Sequence, residues 1–149
     1  YIYDTVRSPR GRGKNGSLNE LTAVALSAKI LQELRERNNL NTQEIEDVIW
    51  GNVTQVGEQG GCLARSAVIA ANYSETTPGL SINRFCASGL EAVNLATNQV
   101  KGSAGDAYVA GGVEMMSRVP MGSDGAAIAV DPTLAMNKYL FLKVFQQIF

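Results

Sequence analysis

The stretch INRFCASGLEAVNLA, Ile82–Ala96, joins two kinds of local order at a single cysteine. Ahead of Cys86 the residues are apolar and strand-forming; behind it come the small residues Ala87, Ser88 and Gly89, then a run with helical character. Small side chains are what a tight strand-to-helix turn requires, and serine nucleophiles of hydrolases sit on an elbow of this kind. A sulfur at the start of a helix lies near unpaired N–H groups and the positive end of the dipole, which favour the thiolate, the reactive form. The turn residues Ala87, Ser88 and Gly89 are candidates to support the turn or to hold an oxyanion through their N–H groups. The plainer reading is a small buried residue at a strand end, where free cysteines commonly lie. The local pattern leaves both open.

Outward from this turn the chain keeps alternating. YIYDTV predicts a short strand at residues 1–6, and RSPRGRGKNGS reads as a basic, glycine-rich loop. Leu21, Val24, Ala25, Ala28, Leu31 and Leu34 recur at helical spacing, with Ser17 or Asn19 as cap. NTQEIED opens a short helix at Asn41 or Thr42, and VIWGNV predicts a strand at residues 48–53. CLARSAVIAAN is alanine-rich and helical, stopping at Asn72. A strand over about 80–85 leads into the cysteine turn, a helix follows that Gly102 closes, and DAYVAGGVE ends a further strand at Gly111 and Gly112. Strand and helix alternate throughout, which argues for an α/β sheet with helices on both faces. After Pro120 the pattern weakens; KYLFLKVFQQIF, residues 138–149, is apolar and helical in character, and its exposed face predicts a covering partner.

The bulk properties narrow the chemistry. The chain has 149 residues, a net charge of −1 and 45% apolar residues, enough for one domain with a real core and no global pull toward nucleic acid or anionic lipid. No apolar run is long enough to span a bilayer, so neither nucleic acid nor membrane is an expected partner. The two cysteines, Cys62 and Cys86, do not make a disulfide framework and suit a reducing compartment. They are too few for a zinc site, so no metal is expected. There is no histidine, so any imidazole base must come from elsewhere.

NRFCASGLEAVNLA followed by VAGGVEMMSRVPMG resembles the thiolase family, the acetyl-CoA acetyltransferases and 3-ketoacyl-CoA thiolases. TVRSPRGRGKNGSL is similar to the family's opening strand and loop, and DVIWGNVTQVGEQGGCLARSA to its GNV…G…AR segment, so the resemblance covers about residues 1–131. The resemblance implies a thiolase-like fold, with helices on both faces of a mixed, mostly parallel five-stranded sheet, the first half of an αβαβα stack. It implies an N-terminal half-domain over residues 1–120, the truncated start of a loop region over 121–149, and a missing second half. It implies acyl transfer through an acyl-cysteine at Cys86, in thiolysis of a 3-ketoacyl-CoA or condensation of two acetyl-CoA molecules. CoA thioesters are then substrates, no separate cofactor is needed, and the complete protein is a homodimer or homotetramer of fatty acid metabolism. Its compartment is the cytosol by default, with an organelle matrix as the other setting. Gly111, Gly112, Glu114 and Ser117 become cavity-lining candidates, and the NRFC strand lies near the dimer two-fold. The family's GHP and CxGGG motifs, which carry a base histidine and a second cysteine, are absent here, so this chain alone is expected not to turn over.

Two alternatives stand beside that reading. One is a non-catalytic chain that acts only in assembly with a partner subunit. The other is a nucleotide-binding domain built on GRGKNG, Gly11–Gly16, with Glu33 or Glu36 as the acidic residue further on; Pro9 and the flanking arginines interrupt such a turn. The methionines Met115, Met116 and Met121 read as packing residues.

Overall fold

A computed structural model describes residues 1–125. Helix α1, Ala23–Asn38, is capped by Thr22, whose Oγ1 accepts the Ala25 N–H at 3.1 Å, so the cap falls later than Ser17 or Asn19. It ends on Asn39 in the left-handed conformation, φ 46°. The NTQ stretch makes only a 3₁₀ turn, Thr42–Glu44, with Asn41 as its cap. Strand β1, Asp47–Gly51, follows; then α2, Leu63–Ala70; β2, Gly79–Ile82; α3, Ser88–Lys101; and β3, Tyr108–Gly112. Gly102 closes α3 as expected, although the left-handed residue there is Ser103, with φ 55°.

The described residues form a 3-stranded sheet in the order β2-β1-β3, with both pairs parallel. The α/β class with a parallel sheet is as expected; of the expected five-stranded, mostly parallel sheet, the described residues form these three strands. The strand predicted at residues 1–6 is not formed. Its alternating pattern suits a strand, but pairing needs a neighbouring edge, and propensity alone does not supply one. Asp4 ties this segment to the end of α1 instead, accepting Asn38 Nδ2 at 2.8 Å. That bond, the Thr5 N–H and the nearby Arg37 hold the Asp4 carboxyl below its ordinary range. The terminal helix expected at residues 138–149 lies outside the described residues.

Helices do cover both faces. Val48 and Trp50 point toward α1 and α2, forming a core with Ala23, Ala28, Leu31, Leu63, Ala64, Ala67 and Val68. Trp50 donates its ring N–H to Ser27 Oγ at 3.0 Å, which satisfies both buried polar groups. Tyr73 closes this side, donating to the Leu31 carbonyl at 2.9 Å; burial pushes its phenol up to about 12. Gly111 lies beneath the Trp50 ring, where an added Cβ would fall 2.6 Å from Cζ3. On the opposite face α3 packs against β1 and β3, with Ser88 and Ala92 buried. The contact at Gly51 is backbone to backbone: a Cβ there would lie 2.5 Å from the Ser88 carbonyl carbon.

Candidate active site

Because the strands are parallel, their carboxyl ends share one rim of the sheet, the place where α/β folds gather ligands and catalytic groups. Asn52 follows β1, Asn83 follows β2, and Val113 and Glu114 follow β3. Cys86 stands on the same rim, in the connection from β2 to α3, and it is exposed. It is therefore not the buried strand-end cysteine of the plainer reading. The first residue of α3 is Ser88, with Ala87 as its cap position, so the sulfur sits just ahead of the helix start. No hydrogen bond from a described residue reaches the Cys86 sulfur.

The turn is held from several sides. Ser88 Oγ accepts the Arg84 N–H at 2.8 Å and donates to the Phe85 carbonyl at 2.6 Å. The Ala87 N–H donates to the Arg84 carbonyl at 3.1 Å and the Ser88 N–H to the Phe85 carbonyl at 3.0 Å. Those amides bind the turn together. Arg84 also reaches forward to Glu91 in the first turn of α3, at 3.0 Å; with Arg84 exposed, this pair adds little stability. Phe85, directly before the cysteine, has φ +46°. A bulky residue in the left-handed region is strained, and such strain persists only where the surroundings over-determine it.

A second polar cluster lies alongside. Gln59 is fully buried; its Nε2 donates to Thr54 O and to Glu114 Oε1, both at 2.9 Å, and its Oε1 accepts the Met115 N–H at 2.8 Å. Glu114 Oε2 accepts the Val53 N–H at 2.8 Å and Asn52 Nδ2 at 3.4 Å, while Oε1 also takes the Thr54 N–H at 3.3 Å. One turn away, Arg118 Nε binds Glu58 at 2.8 Å, and that hydrogen bond holds the Glu58 carboxyl below its ordinary value. The sequence reading gave Asn52 and Gln59 no role. An amide directly after a strand, and another seven residues on, was the available signal.

Gly111, Gly112, Glu114 and Ser117 line an open groove of about 1370 Å³ between the β3 side and the N-terminal segment, and Cys86 is not among its walls. Gly16 does not open a helix, since α1 begins only at Ala23, and no strand precedes the glycines. Glu33 and Glu36 lie within α1. Among the described residues no group of His, Cys, Asp and Glu is placed to share a metal ion. No described helix is long and apolar enough to cross a membrane.

The thiolase N-terminal domain model matches residues 1–143. The chain belongs to the thiolase family. It is 41% identical over 137 residues to a 3-ketoacyl-CoA thiolase of Colwellia psychrerythraea, covering 91% of this chain and 35% of that protein. A 3-ketoacyl-CoA thiolase of Chromohalobacter salexigens is 40% identical over 139 residues, covering 93% of this chain and 34% of its own. The crystal structure of the Bacillus anthracis acetyl-CoA acetyltransferase superposes with a TM-score of 0.65 at 36% identity, over 69% of this chain and 26% of that one. The chain thus spans about a third of the length of these thiolase relatives.

Proposed function

We propose that Cys86 is the acyl-accepting nucleophile of a thiolase-type acyltransferase acting on 3-ketoacyl-CoA thioesters. The observation that carries this is an exposed sulfur, without a hydrogen-bonded partner among the described residues, on the rim where the parallel strands end and just ahead of a helix. In the cleavage direction the thiolate attacks the 3-keto carbonyl carbon. The C2–C3 bond breaks, C2 takes a proton, and acetyl-CoA departs. The remaining acyl group stays on sulfur until a CoA thiol displaces it as a shortened acyl-CoA and returns the proton. Run backwards, the same steps condense two acetyl-CoA molecules.

This chain supplies the nucleophile and the turn that carries it. With no histidine in the sequence, proton transfer by an imidazole falls to residues outside these 149. The same reading carries a homodimer or homotetramer in the cytosol, with CoA thioesters as substrates and no separate cofactor.

Labelling tests it. Iodoacetamide is expected to modify Cys86 at least roughly tenfold faster than Cys62 at neutral pH. An acyl-CoA should leave an acyl mass on Cys86 that Cys86→Ala removes. Equally slow modification of both sulfurs, with no acyl adduct, would overturn the reading and favour a chain that acts only in assembly.

A further inference from the structure

The polar cluster around Glu114 and the strained turn before Cys86 are joined by a continuous run of hydrogen bonds. The Glu114 carboxylate takes the Val53 N–H at 2.8 Å. The carbonyl of that same Val53 accepts Asn83 Nδ2 at 3.1 Å. Asn83 Oδ1 then accepts the Phe85 N–H at 2.8 Å. Phe85 is the left-handed residue, it is 59% exposed, and the next residue is Cys86. Burial therefore does little to hold Phe85 in a conformation that bulky residues avoid. The holding falls to Ser88, within the turn itself, and to Asn83, which brings in the rest of the rim.

Each link demands its residue type. Asn83 must donate on one side and accept on the other, which fixes its amide orientation and which neither Asp nor Leu at this position reproduces. Glu114 gathers the main-chain N–H groups of Val53 and Thr54 with the side-chain amides of Asn52 and Gln59, a set that an acceptor-only group with two oxygens suits. Resting on the nucleophile reading above, we propose that Glu114 and Asn83 are positioning residues for Cys86: Glu114 fixes the Val53 peptide, Val53 orients Asn83, and Asn83 sets the Phe85 turn that aims the sulfur. Neither touches the reacting atoms.

The test uses the full chain and two readouts, amide hydrogen exchange at Phe85 and the iodoacetamide rate of Cys86 with Cys62 as internal reference. Asn83→Ala, at an exposed position, is expected to speed Phe85 exchange by about fivefold, the worth of one hydrogen bond, and to change the Cys86 rate while Cys62 stays constant. Glu114→Gln should speed exchange at Val53 and Thr54 and, through Asn83, at Phe85. Made in the Asn83→Ala background, it should add nothing further at Phe85 or Cys86, because the link is already cut. Additive effects, or faster exchange at Val53 with Phe85 unmoved, would overturn the relay. If Glu114→Gln unfolds, Asn83→Ala decides by itself: unchanged Phe85 exchange overturns the proposal. Failure of the nucleophile reading looks different, with wild-type Cys86 labelling no faster than Cys62 while Phe85 exchange still responds to Asn83.

Discussion

Cys62 and Cys86 occupy matching places, each just before a helix at an exposed position, yet their settings differ. Cys62 is itself the left-handed residue, φ +62°, and its thiol donates to the Gly79 carbonyl at 3.2 Å. At Cys86 the strain is moved one residue back to Phe85, and among the described residues the sulfur makes no such bond. The helices behind them differ too. The cysteine before α2 leads straight into Leu63, fully buried in the core, whereas α3 presents Leu90 to solvent, 64% exposed, and buries only the small residues Ser88 and Ala92. One cysteine serves an anchored helix; the other stands at the open end of a helix whose backbone lies against β1.

Substitutions can break or sharpen that contrast. The largest effect belongs to the anchored side: Leu63→Ala should lower stability by about 3 kcal/mol in a denaturant melt, whereas Leu90→Ala should change it by less than about 0.5 kcal/mol. Comparable losses would mean that the two helices are equally anchored. Next comes Gly51→Ala, whose new Cβ would meet the Ser88 main chain at 2.5 Å. It should destabilise by about 1–3 kcal/mol and alter the alkylation rate of Cys86 but not of Cys62. An unchanged Cys86 rate would sever the turn's geometry from the packing of β1. The smallest change is Cys62→Gly, which relieves the left-handed strain and should add about 0.5–1 kcal/mol, read as a raised melting point. A loss there would show that the thiol's contact with Gly79 outweighs the strain.

Much of this arrangement was legible in the residues. The alternation of strand-like and helix-like stretches located the helices and the strands around Trp50, Ile82 and Val109. The small residues after Cys86 marked the turn, and the quoted motifs marked the family. What escaped were features set by neighbours distant in sequence. YIYDTV has strand character, but only tertiary contact decides whether an edge is there to pair with. Gly111 read as the end of a strand; its reason is the Trp50 ring packed against it. Gln59 is fully buried, and the polar groups of residues 54, 114 and 115 that satisfy it lie up to 56 positions away in sequence. Asn83 donates to the Val53 carbonyl, 30 residues away, a contact that no local pattern around the NRFC stretch announces.

Parallel pairing has a consequence for how this domain tolerates change. The chain re-enters the sheet at Glu46, Pro78 and Ala107, all on the far side from the sulfur. A strand of five residues separates the two rims by about 16 Å. A tag or reporter peptide spliced in after Ser103 would therefore sit remote from the proposed nucleophile, and the same insert after Val53 or Asn83 would land on its rim.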